Sequence, residues 1–168
     1  MRAAGIILAV AAALALQTTL SRYVRGTVAV NLVLVVVVYV ALTWGPVTGL
    51  LTGTFAGLVQ DALSTGVIGI GGLAKTLVGF LTGIVGTQFI VAQPLPRFCV
   101  FFGATLIHEL VFIGLYTLLD LRHFGSPYAA VAGQAAGNAA VGVVAFQLVE
   151  LLPGAVERRR AAKGRLRR

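Results

Sequence analysis

Only 18 of the 168 residues carry a charge, thirteen basic and five acidic. Seven of the basic ones (Arg158, Arg159, Arg160, Lys163, Arg165, Arg167 and Arg168) crowd into the last eleven positions. Residues 1–157 therefore hold six basic and five acidic groups, which cannot cover a folded surface in water. Soluble domains are about 25% charged, whereas this chain is 11% charged and 58% apolar. Disorder is excluded for the same reason, since disordered chains are poor in apolar residues. The remaining class is a polytopic membrane protein. At about 20 apolar residues per spanning helix, its length allows five or six spans and almost nothing outside the bilayer.

Six apolar runs follow one another. The first, Ala3 to Leu20, has a signal-peptide flavour, with Arg2 ahead of it and Ala13-Leu14-Ala15 as a cleavage-like triplet. More apolar runs follow at once, which favours an uncleaved helix. The second, Val28 to Trp44, is dense in valine. β-Branched residues favour strands in water. In lipid an open strand leaves its backbone groups unpaired, so a helix is predicted. After Gly45-Pro46 come helices over Val47 to Asp61, Leu73 to Val91 and Phe98 to Leu119. The glycine-rich stretch Ser64 to Gly72, Pro94 and Pro96, and Asp120 to Pro127 separate them and the next. The sixth runs from Tyr128 to Leu152 and is expected to stop at Pro153-Gly154.

The expected architecture is an all-α integral membrane bundle of about six transmembrane helices in residues 1–153, followed by a basic tail in 154–168. An even number of spans puts both termini on one side, with Arg2, Arg97 and the tail. Arg22, Arg25 and Arg122 fall opposite, with Lys75 near them. Short basic loops stay cytoplasmic, so both ends are expected in the cytoplasm, with the tail against anionic lipid. Because no folded or aromatic-rich domain accompanies the tail, it does not argue for nucleic acid.

Gly45, Gly49, Gly53 and Gly57 recur every four residues, and Asp61 takes the next place. Each step of four advances about 400°, so the series forms a slowly drifting stripe on one helix face. A second stripe is Lys75, Gly79 and Gly83, and a third is Gly133 and Gly137. Small residues so placed let another backbone approach closely, which matters in lipid because packing replaces the hydrophobic drive. Such a stripe serves either the chain's own bundle, a second copy, or a helix from a partner.

Ionisable groups at membrane depth are functional candidates. Asp61 and Lys75 fall at adjoining helix ends, so they can form an ion pair or each sit among headgroups. Glu109 falls in the fifth span beside His108, and a lone carboxylate there must be neutral or paired. Adjacent helical residues point about 100° apart, so the two need different partners. Gln134 and Asn138 on the sixth helix are candidates, with Gln147 further along. No His-Glu-x-x-His, phosphate loop or serine elbow is present, and the single cysteine, Cys99, gives no metal set. No enzyme, cofactor or metal is expected.

One segment has a familiar order: Asn31-Leu32 opening a valine-rich helix, then Gly45-Pro46-x-x-Gly49-x-x-x-Gly53-x-x-x-Gly57-Leu58-x-x-Asp61. A small-residue loop ending Gly69-x-Gly71-x-Leu73 follows, and then a helix with Gly79. In these features, and in the acidic Glu109, the chain resembles the rod shape-determining MreD family of the bacterial inner membrane. The resemblance implies a fold like the substrate-binding subunits of energy-coupling-factor vitamin transporters. It also implies a non-catalytic scaffold in the cell-elongation complex (the elongasome), where peptidoglycan is synthesised. Its implied partners are the bitopic MreC, MreB filaments and the peptidoglycan polymerase-transpeptidase pair. It carries Gly49, Gly53, Gly57 and Asp61 over as helix-packing or partner residues. The alternative is the vitamin-transporter subunit itself, with Ala9 and Ala13 as a weak partner contact. Its ligand would meet Asp61, Ser64, Thr65, Lys75, Asp120, Arg122 and His123.

Overall fold

A computed structural model describes residues 2–23, 30–64, 66–89, 91, 93–121, 125 and 128–165, with side chains left undescribed at 2, 20–23 and 152–165. Six helices follow in order: α1 (Arg2–Tyr23), α2 (Leu32–Trp44), α3 (Pro46–Ala62), α4 (Ile70–Gln88), α5 (Pro94–Leu118) and α6 (Tyr128–Arg165). No strand occurs among the described residues. Of the sequence features above, Arg25, Thr65, Arg122, His123, Arg167 and Arg168 lie outside the described residues. The side chains of Arg2, Arg22 and the other five tail cations do too.

α2 is the axis of the molecule. It packs against each of the other five helices, and Val33, Leu34, Val35, Val37, Val38, Val40 and Ala41 are all buried. An all-round apolar helix needs neighbours on every side, and here protein supplies them. On one flank Val10, Ala13, Leu14 and Ala56 meet Val33 and Val37. On the other, Val78, Phe101, Ala104 and Ala139 meet Leu34, Val35 and Val38. The Asn31 side chain caps the helix by accepting from the Leu34 amide at 3.0 Å.

Gly45 alone joins α2 to α3. Its φ of +86° permits the reversal, and Pro46 opens α3 at a position where no amide is needed. Cross-contacts then fix alternating directions. Ala41 lies beside Gly49, and Gly49 beside Gly79. Lys75 bonds to His108 and Asn138 to Thr105. The start of α1 and the end of the sixth apolar segment share a small cavity with Trp44, through Gly5 and Val149. The second end of the bundle gathers Asn31, Asp61, Lys75, His108 and Gln134.

The expected six spans are not supported by helix length and composition. Among the described residues three helices are long and apolar enough to cross: Ile70–Gln88, Pro94–Leu118 and Tyr128–Leu151. α2 has 13 residues, about 20 Å at 1.5 Å per residue, against the roughly 30 Å of a hydrocarbon core. In α1 the stretch Ala3–Thr19, among the described residues, is a shorter apolar helix. Three boundaries also move. α5 begins at Pro94, because proline suits a first helical turn. α4 begins at Ile70, taking Gly71 and Gly72 out of the expected loop. α6 continues to Arg165 through Pro153-Gly154, so the expected stop is not where this helix ends.

Candidate functional site

The first two glycine stripes meet each other. α3 and α4 run antiparallel with their backbones in contact, and the stripe residues mark the crossing points. A Cβ on Gly49 would land on the Gly79 carbonyl oxygen, one on Gly53 on the Lys75 carbonyl oxygen, and one on Gly83 on Pro46. At Gly57 it would sit 2.5 Å from the Gly72 Cα. A Thr54–Thr76 hydroxyl bond of 2.8 Å flanks the seam. Gly45 belongs to the turn instead, where an added Cβ would meet only Thr87 Cγ2, at 3.8 Å. In the third stripe Gly133 faces open space. The α3–α4 seam is thus filled by the chain itself.

Asp61 closes the polar end of that seam. One carboxylate oxygen accepts from the amides of Gly69 (2.9 Å) and Gly72 (3.0 Å). This is anion binding at a helix start, with α4 supplying the amides and the positive dipole end. Gly69, at φ +107°, turns the loop, and a Cβ on Gly71 would strike Asp61 Oδ1. The loop is fastened again where Val67 donates its amide to the Tyr116 hydroxyl at 3.0 Å. Asp61 thus spends its carboxylate on backbone amides rather than on the ion pair with Lys75 that was one of its two expected alternatives. Among the described residues no Asp61–Lys75 ion pair forms.

Lys75 turns to α5. It is 3% exposed, and its ammonium lies 3.3 Å from His108 Nε2. An ammonium only donates, so Nε2 accepts and the ring proton sits on Nδ1. Nδ1 is 3.1 Å from Glu109 Oε1, which also accepts from Gln134 Nε2 at 2.9 Å. The four side chains form a chain across α4, α5 and α6. As the 100° offset requires, His108 and Glu109 take different outside partners, though they also bond to each other. Asn138, fully buried, donates to Thr105 at 3.1 Å and accepts the Asn31 amide at 2.8 Å. It ties α6 to α5 and to the start of α2.

These groups line a polar cavity of about 580 Å³, into which Gln60, Asp61, Lys75, His108, Glu109 and Gln134 contribute. Among the described side chains the Gln60 Oε1 atom is buried without a hydrogen-bond partner. The cavity holds charges of both signs and hydrogen-bonding groups of both kinds, which is binding chemistry. Among the described residues no three His, Cys, Asp or Glu side chains are grouped closely enough to hold a metal ion.

A second polar site, at the opposite end, escapes sequence reasoning. Arg97 is buried and pairs through both terminal nitrogens with Glu150. Its guanidinium lies 4.4 Å over the Phe146 ring, and Nε donates to the Val91 carbonyl at 3.1 Å. Arg97, expected on the side of the two termini, bolts α5 to α6. The available signal was the antiparallel pairing of the fifth and sixth runs, which places Glu150 opposite Arg97.

Neither a curated protein nor a solved structure matches the chain. A family model does, that of the rod shape-determining protein MreD, over residues 3–153. The match takes in the whole apolar bundle, both halves of the glycine seam and every group in the polar cavity. By that coverage the chain belongs to the MreD family, and its role lies in rod shape determination.

Proposed function

We propose that this protein is a non-catalytic scaffold of the cell-elongation complex, holding an MreC-like bitopic partner in the inner membrane. We further propose that its helices all cross or enter the bilayer, that both termini are cytoplasmic, and that residues 154–168 meet anionic lipid. A substrate-binding-subunit-like arrangement of helices belongs to the same reading, as do MreB and the peptidoglycan polymerase-transpeptidase pair as further partners. The family match over residues 3–153 carries the proposal, and it takes precedence over a vitamin-transport role.

Because α4 fills the glycine seam, a partner helix must use an outer face. The outer side of α3 offers Val47, Leu51, Phe55 and Leu58, all exposed and spaced as one helical stripe. Exposed Leu73, Leu77 and Phe80 extend it onto α4. A photo-crosslinking residue at Leu51 or Phe55 is expected to capture the MreC-like partner in membranes. The same probe at Leu110 on α5 is expected to capture none. Capture from Leu110 alone moves the docking face to α5, and capture from none of the three positions removes the scaffold reading.

A further inference from the structure

The polar cavity shares a wall with an apolar groove. The groove, about 720 Å³, runs between α5 and α6 and is lined by Leu106, Leu110, Ile113, Gly114, Val131 and Ala132. Glu109 lines both spaces. Beside it Leu110 is 74% exposed, and an added Cβ at Gly114 would meet nothing within 4 Å. A site with convergent polar groups at one end and an open apolar channel at the other is shaped for an amphiphile.

The geometry points to one occupant: a membrane phospholipid whose headgroup carries a phosphate and a primary ammonium, headgroup in the cavity and one acyl chain in the groove. Each part of that headgroup has a counterpart. The Lys75 ammonium has three N–H donors and gives one to His108, leaving donors for a phosphate oxygen. Glu109 accepts from His108 and Gln134 at Oε1, and a carboxylate has about four acceptor sites, so it can hold a cation as well. Glu109 is therefore the acceptor that separates the common headgroup cations, because it can take N–H bonds. A primary ammonium donates and a quaternary choline does not. The mixed charge of the cavity likewise favours a zwitterion over a net anion. This inference rests on the membrane placement of the family and is independent of the docking face on α3.

Thermal unfolding of the full chain in dodecyl maltoside micelles tests it, with dioleoyl phosphatidylethanolamine, phosphatidylcholine or phosphatidylglycerol added at equal mole fraction. Phosphatidylethanolamine is expected to raise the melting temperature most, because a ligand of the folded state stabilises it by mass action. Gly114→Phe, whose Cβ would meet nothing within 4 Å and which adds a ring at the groove wall, should weaken that response about tenfold in lipid concentration, a loss of about 1.4 kcal/mol. Gly103→Phe, also facing open space, should leave the response intact. Glu109→Gln should shrink the preference for ethanolamine over choline while leaving a folded, monodisperse protein. Equal responses to the three lipids, or an unchanged response in Gly114→Phe, overturn the inference. So does an equal response to soluble glycerophosphoethanolamine, which would make the occupant a small polar solute.

Discussion

Asp61 is where one side chain decides how two helices end. Its carboxylate holds the Gly69 and Gly72 amides, and hydrogen bonds to a charged group contribute about 1.5–3 kcal/mol each. Asp61→Ala is expected to lower stability by about 2–4 kcal/mol, with Asp61→Asn intermediate, as read by unfolding in mixed micelles. The glycines split into two classes at the same scale. Gly53→Ala drives a methyl into the Lys75 backbone and should cost about 1–3 kcal/mol, as overpacking does. Gly103→Ala in α5 meets open space, so alanine's better helix propensity should raise stability by up to about 1 kcal/mol. A thermal-unfolding comparison of the two variants checks both signs. The repeat of four alone marked Gly49, Gly53 and Gly57 as close-approach positions. It could not choose between α4 and a foreign helix, because a missing side chain fits any backbone.

Among elements, the hydrogen bonds of Asn138 join three helices. Asn138→Leu strands the Asn31 amide and the Thr105 hydroxyl side of that junction, for an expected loss of about 1–3 kcal/mol. Amide hydrogen exchange at residues 31–35 should speed up in the variant, while exchange in the middle of α3 stays slow. At the opposite end, Arg97→Lys keeps the charge but loses the two-pronged bond to Glu150 and the stacking on Phe146. The two cations are not interchangeable there, and the melting temperature should fall. The existence and order of all six helices were legible from apolar runs and Gly/Pro punctuation. Their ends were less so. Pro94 and Pro153 read as stops, although proline opens one helix and lies inside another. The cradle of Asp61 was hidden too, because backbone amides bear no sequence signature, and charge alone pointed to Lys75.

The whole molecule is organised around a short central helix. α2 touches every other helix and buries seven of its residues among them, so the valine run serves as the core of the bundle. This is why counting apolar runs overstates the number of helices that meet the length of a bilayer. The alternating directions of the six helices put Gly5 and Val149 at one end. Epitope tags at the two termini should therefore be labelled from the same side in intact spheroplasts, and labelling from opposite sides would contradict the bundle's topology. The polar cavity and the Arg97–Glu150 pair occupy opposite ends, giving the bundle one hollow end and one bolted end.

The α3–α4 seam has a genetic consequence. Any missense base change in a glycine codon installs a residue with a β-carbon, and at Gly49, Gly53, Gly57, Gly79 and Gly83 that atom collides with main chain. In a random-mutagenesis screen for rounded cells, lesions should pile up on these five codons. Gly103 and Gly133, with vacant space beside them, should accept small residues such as alanine or serine silently in the same library.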